Sequence, residues 1–153
     1  GKTTLLHILA GLTKTDDGST GNVPRIDLRM VFQEDRLIPQ ANALRNLAVA
    51  GCQGDYAEEL AEILPPDRLL LPVNNLSGGE KRRIAIARAV LSHADFLLMD
   101  EPFNGLDPET KAHTAQWIKE HQDGRTILVV SHDEEDIALL NAESLRLSDG
   151  RII

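Results

Sequence analysis

The sequence has few of the residues that mark secreted, membrane-spanning or nucleic-acid-binding proteins. Among its 153 residues Cys52 is the single cysteine, so an internal disulfide is excluded and a reducing compartment is expected. Aromatic residues make up only 3% of the chain, which disfavours a surface for stacking bases. A net charge of −8 also disfavours nucleic acid as a partner. No apolar run approaches the roughly 18–20 residues that span a bilayer. With 153 residues the chain has the length of one domain, so one acidic globular domain is expected.

Apolar runs of strand length alternate with helical patterns along the chain. The continuous apolar runs at 95–100 and 125–130 are typical of strands buried on both faces, and a shorter strand is predicted at 29–33. Loop is predicted at 13–24, and the C-terminal 144–153 is expected to form a short strand or hairpin. Helices are predicted at 2–10, 42–50, 56–64 and 78–91, and from about 108 and 133. This alternation predicts an α/β fold with a mostly parallel sheet.

The first four residues, Gly1, Lys2, Thr3 and Thr4, match the second half of the phosphate-binding loop G-x-x-x-x-G-K-[ST]. In such a loop backbone amides surround the phosphates, the lysine reaches the β- and γ-phosphates, and a hydroxyl, here that of Thr3, binds Mg²⁺. The first half of the motif and the strand leading into it would precede Gly1. A four-residue match is weak evidence by itself, so a second motif of a phosphate-binding site is needed to support it.

Two acidic residues at the end of the predicted strand 95–100 form the second motif. Asp100 and Glu101 lie where the strand ends, and ligands of open α/β sheets bind at the carboxyl ends of strands. We expect Asp100 to support Mg²⁺ and Glu101 to polarise the water that attacks the γ-phosphate. The alternative is that these acids only cap the following turn.

The stretch Leu76-Ser77-Gly78-Gly79-Glu80 predicts a second helix start that can bind an anion. Ser77 and Glu80 have the spacing of a capping box, and a helix N-terminus attracts negative charge. Capping alone leaves Gly78 and Gly79 unexplained, because glycine destabilises a helix. With this LSGGE stretch, the chain resembles the ATP-binding cassettes of ABC transporters, whose signature is LSGGQ.

The resemblance implies a P-loop NTPase fold over residues 1–153, interrupted within the Walker A loop at the N-terminus, with an inserted helical subdomain at 34–91 that carries the signature. Gln33 is similar to the Q-loop glutamine, Asp107 to the D-loop aspartate and His132 to the switch histidine. Asp107 before Pro108 is also a natural helix N-cap. We expect the other four histidines to be surface or packing residues, and 80–83 (EKRR) to be a solvated helix face.

The site implied by the resemblance has three groups of residues. The catalytic residues are Glu101 and His132, and the metal ligands are Thr3, Gln33 and Asp100. Nucleotide binding is assigned to Gly1, Lys2, Thr3, Thr4, Gln33, Asp100, Ser77, Gly78, Gly79, Glu80 and Asp107. Since one γ-phosphate needs only one helix N-terminus per monomer, the resemblance implies a head-to-tail dimer in which the signature of one cassette covers ATP held by the other.

The function implied is hydrolysis of ATP with Mg²⁺ by a subunit that powers an ABC transporter, bound peripherally to its permease at the cytoplasmic face of the inner membrane. The stretch 31–39 (VFQEDRLIP) resembles importers of the sulfonate, nitrate and taurine type. A soluble ABC-type ATPase of translation or DNA repair is the alternative, although the short interval from Gln33 to Leu76 excludes the coiled-coil insertions of repair relatives. A further alternative is a non-catalytic fragment, and we expect the 153-residue chain alone to bind ATP weakly and to hydrolyse it negligibly.

Overall fold

A parallel three-stranded sheet forms the centre of the fold in the computed structural model, which describes residues 1–14, 27–148 and 150–152. Its strands are β1 (Leu28–Val31), β2 (Phe96–Asp100) and β3 (Thr126–Val130), in the order β1-β2-β3. Both pairings are parallel, which confirms the predicted α/β fold. Strand β1 ends two residues before the predicted boundary, so Gln33 lies in the loop that follows it.

The helices begin and end close to the predicted positions. In the described part of the chain they are α1 (Lys2–Leu9), α2 (Ala43–Val49), α3 (Ala57–Ile63), α4 (Gly78–Val90), α5 (Pro108–His121) and α6 (Glu134–Leu140). Short 3-10 turns lie at Pro66–Arg68 and Val73–Asn75, and the predicted hairpin is β4 (Leu147–Ser148) with β5 (Arg151–Ile152). Most of the predicted loop 13–24 lies outside the described residues. None of the described helices has the length and apolar character needed to cross a bilayer.

The two faces of β2 pack against different layers, which explains its continuous apolar sequence. Leu97 and Met99 belong to the large core, which includes Ile84 of α4 and Trp117 of α5. Leu98 points into a smaller cluster with Leu6 of α1 and Val130 of β3. Because neighbouring residues of a strand face opposite sides of the sheet, both sets must be apolar. The sheet is therefore covered by α1 on one face and by α4 and α5 on the other.

The regular structure between β1 and β2 is entirely helical, with α2, α3 and α4 in the interval 34–91. Their buried residues, among them Leu47, Leu60 and Ile86, belong to the same core as the sheet residues Leu97 and Met99. The helical content agrees with the predicted insertion at 34–91, while the division of the chain into a domain and a subdomain stays a prediction. What this arrangement fixes is the position of α4, which packs beside the sheet and begins at the LSGGE stretch.

Candidate functional site

The N-terminus of α1 lies at the carboxyl edge of the sheet. The hydroxyl of Thr3 donates a hydrogen bond to Asp100 Oδ1 at 3.2 Å, and Asp100 is 1% exposed at the end of β2. Gly1 occupies the N-cap without a side-chain cap. The first backbone amides of a helix have no partner within the helix, and those of Lys2, Thr3 and Thr4 have no hydrogen-bond acceptor among the described residues, so they can bind an anion here. The sequence-predicted phosphate and metal residues of 1–4 and 100 are thus brought together.

His132 follows β3 and connects the cation of Lys2 with the carboxylate of Glu101. Lys2 Nζ lies 3.2 Å from His132 Nδ1, and His132 Nε2 lies 3.3 Å from Glu101 Oε1. A lysine ammonium can only donate, so His132 Nδ1 is the acceptor of this contact, and Nε2 is the ring nitrogen that faces Glu101. The backbone amide of His132 also donates to Glu101 Oε2 at 3.4 Å. Three of the predicted residues therefore form one connected chain of polar groups.

Glu101 carries two features that are unusual for a residue with a purely structural role. Its φ is +49°, in the left-handed region that side chains other than glycine seldom adopt. Its Oε1 is buried and has no hydrogen-bond partner among the described residues, because the 3.3 Å approach of His132 lacks hydrogen-bond geometry. Backbone strain and unpaired buried acceptors concentrate at functional sites. The carboxylate therefore keeps an acceptor that no described residue uses.

A polar cavity of about 820 Å³ opens beside these groups. It is lined by Thr3 of α1, by Lys111 of α5, and by residues from the segments that follow the three strands, namely Gln33, Glu101, Phe103, Asn104, Gly105, Leu106, Ser131, His132, Asp133, Glu134 and Asp136. Gln33 is exposed in the loop after β1, so the predicted Q-loop residue lies at the same cavity as Glu101 and His132. Such a cavity at the carboxyl ends of parallel strands is the usual location of a ligand site.

A buried lysine that the sequence did not single out anchors the segment that follows His132. Lys111 of α5 bonds to Asp133 and Glu135 and lies 2.6 Å from Asp136 Oδ1. Burial alone would lower the pKa of Lys111, but its hydrogen bonds to the three carboxylates outweigh burial and raise that pKa well above its ordinary value. The hydroxyl of Ser131 donates to Asp136 as well. His132 is therefore flanked by two anchored neighbours.

The LSGGE stretch forms the predicted capping box at the start of α4. Ser77 Oγ accepts from the Glu80 amide at 3.2 Å, and Glu80 Oε2 accepts from the Ser77 amide at 2.7 Å. Burial tends to raise the pKa of Glu80, but these bonds to Ser77 hold it below its usual value, so the carboxylate is charged at neutral pH. Ser77 is exposed, is not among the residues that line the cavity, and has no contact with Lys2 among those described.

Asp107 acts as the N-cap of α5, as its alternative interpretation predicted. Its carboxylate accepts from the Thr110 amide at 3.0 Å, which holds the pKa of Asp107 below its ordinary value. The side chain is exposed, and its neighbour Leu106 lines the cavity and lies near Gly79 of α4, where an added Cβ would approach it to 3.4 Å. The signature helix and the D-loop stretch are thus neighbours.

The expectation that 80–83 forms a solvated face is wrong at Arg82. Arg82 is 4% exposed and points toward the carboxyl ends of β1 and β2. The reason is helical periodicity, since positions 82, 85, 86 and 89 share one face of α4 and all four are buried. In the sequence, the four consecutive charged residues at 80–83 gave no indication of this buried face. Of the other four histidines, His121 stacks on Trp117 and His7 lies beside Phe32, which agrees with packing roles.

The donor set at this edge fits a small hard cation. Mg²⁺ binds through oxygen ligands, usually one or two carboxylates and hydroxyls with several waters and phosphates. Thr3 and Asp100 supply a hydroxyl and a buried carboxylate 3.2 Å apart, and the amide of Gln33 lines the adjoining cavity. Thr3 and Asp100 thus lie together beside the cavity that Gln33 lines, and their role as metal ligands stays a prediction.

Comparison with known proteins agrees with this geometry. The family model described as ABC transporter matches residues 1–104. An aliphatic sulfonates import ATP-binding protein, SsuB 3 of Pseudomonas savastanoi, is 37% identical over 99% of this chain and 60% of its own length. SsuB 1 of Rhodococcus jostii is 40% identical over 97% of this chain and 64% of its own length. The chain therefore spans about 60% of the length of the curated relatives it matches.

Solved structures give the same fold. An ATP-binding cassette determined as a dimer in a post-hydrolysis state with ADP and Pi superposes with a TM-score of 0.72 and 29% identity, over 91% of this chain and 73% of that one. RNase-L Inhibitor superposes with a TM-score of 0.78 and 27% identity, over 98% of this chain and 30% of that one. Together with the family match over most of its length, these comparisons show that the chain belongs to the ABC transporter family.

Proposed function

We propose that the chain is the nucleotide-binding part of an ATPase subunit that hydrolyses ATP to power transport. The observation that carries this proposal is the meeting of Lys2, Thr3, Asp100, Glu101 and His132 at one edge of the sheet. These residues come from the start of α1 and from the ends of β2 and β3, three separate elements. A purely structural role does not explain why a strained acid, a cation and a histidine meet beside a polar cavity.

Each residue has a distinct task in this proposal. The amides at the start of α1 and the ammonium of Lys2 bind the β- and γ-phosphates. Glu101, which lines the cavity, orients and polarises the attacking water with its carboxylate. His132, whose Nδ1 accepts from Lys2 before substrate arrives, lies where it can contact the γ-phosphate once Lys2 turns to the nucleotide. The amide of Gln33 reaches the same cavity from the loop after β1.

Magnesium would be held by Thr3 and Asp100, with Gln33 as a further oxygen donor. When bound, Mg²⁺ neutralises negative charge on the β- and γ-phosphates during phosphoryl transfer. The existing hydrogen bond from Thr3 to Asp100 keeps the two donors together in its absence.

A head-to-tail dimer completes the site in this proposal. Ser77, Gly78, Gly79 and Glu80 form a free helix N-terminus that lies apart from Lys2 in the same chain. Ser77 and Gly78 are exposed, so a second copy can bring its phosphates to them. Two similar solved cassettes are described as dimeric, which supports this arrangement. Asp107, exposed at the start of α5, would then face the partner.

The transport process is import of sulfonates or related small anions. Support comes from relatives in Pseudomonas, Pectobacterium and Rhodococcus that are all named as aliphatic sulfonates import ATP-binding proteins. A subunit of this type binds to separate permease chains at the cytoplasmic face of the membrane. The relatives favour this reading over a soluble ATPase of translation or repair.

The experiment is the substitution Glu101→Gln in a chain extended before Gly1 so that the phosphate-loop motif is complete. Removing the base should slow ATP hydrolysis by about 10²–10⁴, or about 3–5 kcal/mol of barrier, while ATP binding is retained. Hydrolysis is measured by phosphate release and binding by calorimetry.

Glu134→Gln is the matched control, because Glu134 is an exposed acid that lines the same cavity at the start of α6. It should hydrolyse ATP at the parent rate. Near-parent turnover by Glu101→Gln would remove Glu101 from the base role, and absence of hydrolysis by the parent protein would refute the function.

A further inference from the structure

Arg82 is a buried cation that binds the backbone on both sides of the candidate site. The three guanidinium nitrogens of Arg82 lie 2.6–3.4 Å from six oxygen atoms. These are the carbonyl oxygens of Phe32, Gln33, Asp100, Glu101 and Pro102 and a carboxylate oxygen of Asp35. A guanidinium is planar and presents its donors in a fixed fork, so these oxygens are held in a defined relation to one another. One side chain of α4 thus joins the loop after β1 to the turn after β2.

The turn after β2 needs such support because it is strained. Glu101 has a φ of +49°, and its carbonyl accepts from both Arg82 Nη2 at 2.6 Å and the Asn104 amide at 3.2 Å. The Glu101 amide donates to Val130 at 2.8 Å. Strained backbone persists only where surrounding contacts over-determine it. Arg82 binds the carbonyls immediately before, at and after Glu101, so it fixes the backbone from which the carboxylate projects.

The charge of Arg82 is balanced mainly by carbonyl dipoles. Asp35, its one carboxylate contact among the described residues, lies 3.2 Å away and is 28% exposed. Arg88, two turns further along α4, binds the carbonyls of Asp35 and Arg36 in the same loop. The loop that presents Gln33 is therefore attached to α4 at two points, and only Arg82 also reaches Glu101.

We infer that Arg82 is a positioning residue for hydrolysis, which holds Glu101 in its left-handed conformation opposite His132 and couples it to the Gln33 loop. This inference rests on the proposed function for its catalytic consequence. The physical basis is the fork of donors, which a lysine cannot reproduce because its ammonium is a single point of charge. Lys2 and Thr3, which would bind the phosphates, have no hydrogen bond to Arg82 among the described residues, so nucleotide affinity should change less than kcat when Arg82 is replaced.

The test compares Arg82→Lys with Arg125→Lys in the extended chain. Arg125 is the matched control, since it also binds carbonyls, those of Val90, Ser92, Ala94, His121 and Gln122, but away from the cavity. In Arg82→Lys we expect kcat to fall by about 10–10², as a misplaced catalytic group does, with KM for ATP within about threefold. Arg125→Lys should keep the parent kcat at a temperature where it is folded.

Hydrogen exchange supplies a readout that is independent of ATP hydrolysis. In Arg82→Lys the amides of 100–104 and 131–133 should exchange about tenfold faster or more, whereas in Arg125→Lys the faster exchange should appear at 90–95 and 121–126. If Arg82→Lys does not fold, Arg82→Gln, which keeps two N–H donors, is measured in the same way.

Equal loss of kcat in the Arg82 and Arg125 variants, or unchanged exchange at 100–104, would overturn the positioning role. If the parent protein does not hydrolyse ATP, the proposed function fails, but the exchange pattern still decides whether Arg82 fixes the turn at Glu101.

Discussion

The two ends of the central sheet are each held by an arginine, fully buried at the carboxyl end and half-buried at the amino end, and the two arginines differ in what surrounds them. At the amino end of β3, Arg125 binds carbonyls at the C-terminal ends of α4 and α5 and in the loop before β2. Carbonyls at helix C-termini have no partner within their helix, so Arg125 satisfies groups that any compact fold must satisfy. At the carboxyl end, Arg82 binds a strained turn and a loop beside a cavity.

The difference shows where the molecule departs from maximal stability. Within the part of the chain that the structure describes, the carboxyl edge keeps a left-handed glutamate, a buried carboxylate oxygen without a hydrogen-bond partner, and unpaired amides at the start of α1. Each of these costs stability and each prepares a contact with a ligand. The opposite edge also has a guanidinium and a left-handed residue, Asp123 with a φ of +52°, but the carbonyls that Arg125 binds lie at helix ends and in the loop before β2 rather than around the polar cavity. The same side-chain chemistry thus stabilises the fold at one edge and organises the site at the other.

Removal of the cation at the carboxyl edge should have the largest effect. In the extended chain, Lys2→Ala should weaken ATP binding by about 10²–10³, or about 3–4 kcal/mol, because the ammonium reaches the phosphates. Lys14→Ala is the control, since Lys14 is exposed beyond the other end of α1. Calorimetry with Mg-ATP gives both affinities, and equal affinities would remove the distinction between the two edges.

Loss of the arginine at the opposite edge should change stability and not binding. Arg125→Met should lower the free energy of unfolding by about 1–3 kcal/mol, because buried carbonyls lose their donor. ATP affinity should stay at the parent value. Arg45→Met, at an exposed position of α2, should change stability by less than about 0.5 kcal/mol. Urea unfolding measures both variants, and a drop in ATP affinity with Arg125→Met would contradict the division of roles.

A smaller effect should appear in the pH dependence of stability through Lys111. Its hydrogen bond holds the pKa of Asp133 below 3.8, so the stability contributed by Asp133 is complete above that value and is lost as the pH falls. The pKa of Lys111 itself is raised above 10.5, so its contribution is complete below 10.5 and is lost only at higher pH.

The difference in unfolding midpoint between the parent protein and Lys111→Met should therefore be greatest between about pH 4 and pH 10 and should shrink outside this window. Lys119→Met on the same helix is the control and should show no such window. A constant difference from pH 3 to pH 7 would show that the ion pairs around Lys111 do not stabilise the His132 loop.

Much of the fold could be predicted from the sequence because its periodicities are strong. The apolar runs of β2 and β3 and the cap at Ser77 have local causes, and each is found close to its predicted position. The placement of Asp100 and His132 at one edge follows from parallel strands, which all end on the same side. The order of the motifs along the chain then indicated the resemblance to ATP-binding cassettes.

The contacts that hold the site together could not be predicted, because they join residues far apart in the chain. Arg82 lies about 50 positions from Phe32 and 19 from Glu101, and in the sequence it is one basic residue in a charged run. The role of Lys111 likewise depends on the packing of α6 beside α5, which brings Asp136 next to its ammonium group. The left-handed conformation of Glu101 has no local signal such as glycine. Long-range polar contacts therefore needed the structure.

The most direct test of the central claim, that phosphates bind at the start of α1, is a crystal structure of the extended Glu101→Gln chain with Mg-ATP. The account predicts a γ-phosphate within about 3 Å of Lys2 Nζ and of the His132 ring, with Ser77 of a second copy on its other side. Phosphates found elsewhere in the molecule, or a nucleotide at α1 without contact to Lys2, would contradict it.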